Sequence, residues 1–180
     1  KAKPPSNELK IVYAGLLGVA QGISNLLKSL NVPDGVSISI YGDGPEAKNI
    51  SQIAHSNPKI RYYGVLKKSE LDKTLVNYDL ALIPLVNRIY GSVPSKIFEL
   101  SRLGIPVVYF SEGEGALLVE QLELGFVIKS NFKTELEQLI RDIKQDNKKL
   151  PDSNHINEIA KRHFDFNIQF EKLLMHIEAV

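Results

Sequence analysis

The chain contains no cysteine. Disulfides, thiolate metal sites and cysteine nucleophiles are therefore excluded, and the absence is compatible with the cytoplasm. Charge of one sign is not in excess either. The 22 Lys and Arg residues stand against 21 Asp and Glu, for a formal net charge of +1. A nucleic-acid partner calls for a basic stripe, and this balance supplies none. No apolar run approaches the roughly 18 residues needed to span a bilayer. Lys1 to Lys10 is polar and carries proline, so no signal peptide is visible. The four histidines, His55, His155, His163 and His176, lack metal-ligand spacing. Solvated or partly buried structural roles are expected for them.

What remains is ample for one domain. A chain of 180 residues can bury roughly 70% of its unfolded surface without a staple. The first residue is not Met, and Lys1-Ala2-Lys3-Pro4-Pro5-Ser6-Asn7 reads as a linker. Residues 1–8 are thus expected to be a linker from an absent N-terminal domain. Apolar runs then alternate with helical spacing. Leu9 to Ala14, Val36 to Tyr41, Ile60 to Tyr63, Leu80 to Ile83, Ile105 to Phe110 and Gly125 to Ile128 read as strands. Helices are expected over Ile23–Leu30, about Glu46–His55 with Pro45 at its first position, and Lys68–Val76 capped by Ser69. Further helices are expected over Ser95–Leu103 ending at Gly104, over Leu136–Lys144, and near His155–His163 and Ile168–Ile177. Strict alternation means crossover units and a parallel sheet covered on both faces. The expected fold is a Rossmann-like three-layer α/β/α domain with a six-stranded, mostly parallel sheet. Ligands of such sheets bind beyond the carboxyl ends of the strands, so those loops carry the functional argument.

The first such loop, Gly15-Leu16-Leu17-Gly18, is followed by Gly22. It fits either a turn needing glycine torsions or a phosphate cradle. Its first two glycines are three apart, which is not G-x-G-x-x-G and argues against a nicotinamide or flavin site. Gly42-Asp43-Gly44-Pro45-Glu46 is first of all a tight turn. The richest stretch runs from Asn87 through Arg88, Ser92, Val93, Pro94, Ser95 and Lys96 to Glu99. It opens a helix, where free amides and two cations suit a diphosphate. Glu99 lies one turn beyond Lys96; it pairs with Lys96 at the surface or accepts the hydroxyls of a ribose. Glu112-Gly113-Glu114-Gly115 reads as a solvated turn.

In order, these loops resemble the C-terminal domain of family 4 glycosyltransferases of the GT-B fold. The resemblance is strongest over Val93-Pro94-Ser95-Lys96-Ile97-Phe98-Glu99-Leu100 with Gly104-Ile105-Pro106-Val107-Val108. That segment is similar to the subgroup acting in bacterial surface polysaccharide assembly. Tyr13 to Gly18 with Ala20-Gln21-Gly22 resembles the family's first glycine loop. Ile40 to Pro45 resembles its second-strand loop, and Arg61-Tyr62-Tyr63-Gly64-Val65-Leu66 the loop that pockets the base. The resemblance implies a nucleoside diphosphate sugar, UDP- or GDP-type, as donor and an acceptor hydroxyl, with no metal and no cofactor. It implies donor contacts at Gly15, Leu16, Leu17, Gly18, Gly42, Gly44, Val65, Leu66, Arg88, Ser92, Val93, Ser95, Lys96 and Glu99. It places the acceptor site and most catalytic residues in an N-terminal half, so that this segment alone transfers no sugar. Residues 9–163 would be the nucleotide-sugar domain and 164–180 the helix that returns to the other half. A cytoplasmic protein is implied, with the inner face of the membrane as a place for peripheral association of the full chain.

Three departures from the family pattern stand out. The first of two family glutamates would fall at Gly91, the first glycine loop has Val19-Ala20-Gln21 where a basic residue is common, and Pro94 removes an amide. Lys96 and Arg88 could supply the missing charge. Two other readings fit the sheet: a non-glycosyl nucleotide-binding Rossmann module, and a silent interaction domain descended from a transferase. The first leaves Pro94-Ser95-Lys96 with Glu99 unexplained, and Gly91 keeps the second open.

Overall fold

The apolar runs become strands, and in all but the edge strand Ile60–Gly64 alternate side chains feed two different cores. The computed structural model describes residues 8–85 and 93–178. Its strands are β1 (Leu9–Ala14), β2 (Val36–Tyr41), β3 (Ile60–Gly64), β4 (Leu80–Pro84), β5 (Val107–Phe110) and β6 (Gly125–Ile128). They form one sheet in the order β3-β2-β1-β4-β5-β6, with every pairing parallel. The helices are α1 (Ile23–Ser29), α2 (Ala47–Ser56), α3 (Lys68–Leu75), α4 (Ser95–Arg102), α5 (Glu114–Gln121), α6 (Phe132–Lys144), α7 (Ser153–Phe164) and α8 (Phe166–Glu178). The expected Rossmann-like α/β/α fold is the one observed.

On one face Leu9, Ile11, Tyr13, Ile38, Ile40, Leu82, Val108 and Phe110 pack with residues of α1, α2 and α6. On the other Val12, Tyr41, Ala81, Ile83, Val107 and Tyr109 pack with residues of α3, α4, α5 and α7. The period of two along these strands thus separates the two cores. A buried side chain of this kind contributes roughly 1.5–3 kcal/mol relative to exposure.

Several boundaries differ from the sequence expectation. The sequence suggests a solvated turn over Glu112-Gly113-Glu114-Gly115, whereas α5 begins at Glu114. Parallel β5 and β6 need a crossover, and Ala116 and Val119 bury the inner face of the helix that supplies it. Gly115 is required there for space, since a Cβ would lie 2.6 Å from the Tyr109 hydroxyl. Ser69 lies inside α3, where Lys67 is the N-cap with no side-chain bond. Pro45 precedes the N-cap Glu46 of α2. Helix α6 starts at Phe132, one turn before its first fully buried residue, Leu136. Asp152, not singled out from sequence, caps α7 by accepting from the Asn154 and His155 amides.

Candidate functional site

Strand order reverses between β1 and β4. Chains leave those two strands in opposite directions, and a crevice opens beyond their carboxyl ends. A cleft at this point is lined by Ala14, Gly15, Lys68, Asp72, Lys96 and Glu99 over an apolar floor that includes Val12 and Ala81.

Its first wall is the glycine loop after β1. The Gly15 amide donates to the Tyr41 carbonyl (3.0 Å), and the Leu17 amide to the Asp43 carbonyl (2.9 Å). The Leu17 carbonyl in turn accepts from the Glu46 amide (2.9 Å). Leu17 was expected among the donor contacts, yet its side chain is fully buried and its amide and carbonyl are both engaged. The amides of Leu16 and Gly18 make no hydrogen bond among the described residues. Leu16 is exposed, and its carbonyl is fixed by the Tyr13 hydroxyl at 2.6 Å. Burial pushes that hydroxyl up to about 12.

Gly42 and Gly44 lie behind this loop rather than in the cleft. At Gly42, φ is +131°, and a Cβ would collide with the Gly15 carbonyl. At Gly44 a Cβ would lie 2.6 Å from the Leu17 carbonyl oxygen. Both glycines therefore serve loop-to-loop approach. The Gly42 amide donates to the Gly64 carbonyl (2.8 Å), and its own carbonyl accepts from the Tyr62 hydroxyl (3.0 Å). Beyond Gly64, Val65 is exposed and Leu66 packs on the second core. Tyr63 stacks on Tyr41 with centroids 4.9 Å apart.

The second wall is α4. Its N-cap is Pro94, with no side-chain cap bond; the Ile97 amide donates to the Pro94 carbonyl (3.1 Å), and the amides of Ser95 and Lys96 stay open among the described residues. Val93 is half-buried against the second core. From the first turn the half-buried Lys96 side chain reaches across to Gly15, where an added Cβ would collide with its Nζ and Cε. Lys96 makes no salt bridge or hydrogen bond to another described residue. Burial lowers its pKa below the ordinary lysine value; Glu99 opposes that shift and Lys68 adds to it. The Lys96–Glu99 surface pair, one of the two roles the sequence leaves open for Glu99, is absent. Glu99 instead accepts from Lys68 Nζ (3.2 Å) and from Ser95 Oγ (3.2 Å).

The cleft thus brings together Gly15, Lys96 and Glu99, with Ser95 bonded to Glu99. It leaves Val65 and Leu66 outside its lining. Arg88, Gly91 and Ser92 lie outside the described residues. Lys68 and Asp72 were missed, because nothing in the sequence ties positions 68 and 72 to position 99. Topology was the available signal. The crossover from β3 to β4 must pass over β2 and β1, which sets α3 beside α4. Among the described residues no group of three or more His, Asp or Glu could hold a metal. None of their helices is long and apolar enough to cross a membrane.

The fold matches that of solved glycosyltransferases. Against Anabaena HepE in complex with UDP the TM-score is 0.74 at 18% identity, covering 97% of this chain and 50% of that chain. Sucrose-phosphate synthase from Thermosynechococcus elongatus gives 0.76 at 17% identity, over 98% and 47%. WaaG, a glycosyltransferase involved in lipopolysaccharide biosynthesis, gives 0.70 at 14% identity, over 93% and 46%. The chain therefore spans about half the length of these structures. No curated protein matches its sequence. The model of the family described as glycosyl transferases group 1 matches residues 1–163. A crevice at the β1/β4 reversal, walled by a glycine loop and by the opening of α4, therefore sits in a chain that belongs to the glycosyl transferases group 1 family.

Proposed function

We propose that this chain is the donor-binding C-terminal half of a GT-B glycosyltransferase of family 4. It would take a UDP- or GDP-type sugar and pass the sugar to an acceptor hydroxyl in polysaccharide or glycolipid assembly. The carrying observation is the reach of Lys96 from α4 to Gly15. The first glycine loop offers no cation, and α4 supplies one beside a loop whose Leu16 and Gly18 amides carry no hydrogen bond among the described residues, as those of Ser95 and Lys96 carry none. A diphosphate there would meet a full charge and unbonded N–H groups together. Charge developing on the leaving diphosphate would be met by these fixed groups without a metal ion. Glu99, on the next turn, would take the ribose hydroxyls.

Other features fit the same reading. HepE, solved with UDP and with UDP-glucose, shares the fold over about half its length. Helix α8 leaves Phe166, Phe170, Leu173, Met175 and Ile177 exposed. An apolar face of that kind suits a helix that returns to an N-terminal half carrying the acceptor site. Residues 9–163 would then form the nucleotide-sugar domain and 164–180 the return segment. The full protein would work in the cytoplasm, at the inner face of the membrane where glycolipid acceptors lie.

Lys96→Ala tests the reading. Titration calorimetry should show tenfold or greater loss of affinity for UDP or GDP, in line with roughly 1.5–3 kcal/mol for a charge-assisted hydrogen bond. The bare nucleoside, lacking phosphates, should lose little. The loss should shrink as salt rises, because added ions screen a partly exposed charge. Equal losses for nucleoside and nucleoside diphosphate would show that Lys96 supports the fold rather than the phosphates.

A further inference from the structure

Lys68 is the cation in the cleft that the donor reading leaves without a role. It stands at the first turn of α3 and bridges two carboxylates, Asp72 at 3.0 Å and Glu99 at 3.2 Å. Asp72 is held in turn by Arg102 at 3.4 Å. The chain Arg102–Asp72–Lys68–Glu99 thus links α3 to α4 along the cleft, and Ser95 holds the other oxygen of Glu99.

Stability does not account for this arrangement. The Lys68 and Glu99 side chains are 59% and 48% exposed, and exposed pairs contribute about 0–1 kcal/mol to folding. Orientation is the more consequential effect. An exposed glutamate turns freely about its side-chain torsions, and a ligand that uses it must bear the cost of ordering it. In this structure that ordering is already done. A carboxylate offers about four lone-pair sites. Lys68 fills one on Oε2 and Ser95 fills one on Oε1. One site stays open on each oxygen, which is the pattern two neighbouring hydroxyls need from a single carboxylate.

We propose that Lys68 is a positioning residue that sets Glu99 to accept both hydroxyls of a ribose diol, so that the site selects ribonucleotide over 2′-deoxyribonucleotide donors. The proposal rests on the donor-site reading of Glu99 given above. Lys68 is not required to touch the ligand; it acts through the carboxylate.

The test is the ratio of dissociation constants for a 2′-deoxy and a ribo ligand. UDP, GDP and their 2′-deoxy counterparts are titrated against the unaltered chain and against Lys68→Ala, Lys68→Arg and Glu99→Gln. Loss of a positive charge weakens every diphosphate alike, but it does not change this ratio, and neither does the fraction of protein that is active. Lys68→Ala should narrow the ratio about threefold, the scale of an exposed ion pair. Lys68→Arg should restore it, because a guanidinium also reaches the carboxylate. An unchanged ratio in Lys68→Ala, with a ratio that collapses in Glu99→Gln, would overturn the positioning role and leave Glu99 as a ribose contact. Equal binding of all ligands by Glu99→Gln and the unaltered chain would remove Glu99 from the site, and the role of Lys68 with it.

Discussion

At the ends of β1, β2 and β3 the cleft is bounded by backbone packed on backbone. The Gly15 loop bonds to Tyr41 and Asp43, the Gly42 loop bonds to Gly64, and glycines stand where any side chain would collide. Across from it, α3 and α4 present charged side chains that are partly exposed and tied mainly to one another. The first wall is shaped by steric exclusion and by backbone hydrogen bonds from loop to loop. The second is shaped by electrostatics that water can still reach. Substitutions should therefore separate cleanly, with loss of fold on the first wall and loss of ligand on the second.

Gly42→Ala should break the molecule on the backbone wall. The new methyl group would meet the Gly15 carbonyl in a backbone conformation, φ +131°, that alanine avoids. Strain and overpacking each cost roughly 1–3 kcal/mol, so a loss of about 2–4 kcal/mol is expected. For a chain of this size that lowers the melting midpoint by roughly 10 °C. A midpoint within about 1 °C of the unaltered chain would show that the two loops are not locked.

Glu99→Gln probes the opposite wall and should do the reverse. Size is kept while the charge facing Lys68 and the diol is removed. Affinity for UDP or GDP should fall about tenfold. The urea midpoint should correspond to a change within about 0.5 kcal/mol, as for most surface positions. A large stability loss with unchanged affinity would move Glu99 from the ligand wall to the scaffold.

The two walls also differed in how far they could be read from sequence. Apolar runs, three of them ending in glycine, marked the six strands, because burial on both faces leaves little else for Leu9–Ala14 or Leu80–Pro84 to do. The same glycines gave their positions but not their partners. Gly42 and Gly44 read as a tight turn and, through the family resemblance, as donor contacts; in the structure they make room for Gly15 and Leu17. Leu17 illustrates the limit, since a leucine between loop glycines carries no mark of a core side chain. Helix α5 was hidden by its Gly113 and Gly115, whose weak helix propensity is overridden by the crossover that β5 and β6 require. Lys96 and Glu99 stood out because they are spaced on one helix. Lys68 did not, since its meeting with Glu99 depends on strand order.

The smallest effect is expected where the two walls touch. Lys96 belongs to α4, yet its ammonium lies against Gly15, half-buried and without an anion among the described residues. Burial lowers its pKa below the ordinary lysine value, Lys68 lowers it further, and Glu99 only partly compensates. In the unliganded fold the proton is therefore held less firmly than in the unfolded chain. Below the folded pKa the charged group is protonated in both states, and its burial is a constant cost. Between the folded pKa and the unfolded value of about 10.4 the unfolded chain binds more protons, so this group's contribution to stability rises with pH. Lys96→Met keeps the length and removes the charge. It should unfold at a slightly higher urea concentration at pH 7, and its advantage should shrink as pH rises through that window. Comparing the two proteins at each pH cancels the other lysines and the tyrosines, which titrate in both. Saturating UDP should reverse the order at pH 7, because a ligand stabilises by RT ln(1 + [L]/Kd) and the unaltered chain has the smaller Kd. If Lys96→Met is the less stable protein at pH 7 without ligand, the ammonium is part of the scaffold, and the boundary between the walls lies on the α4 side of Lys96.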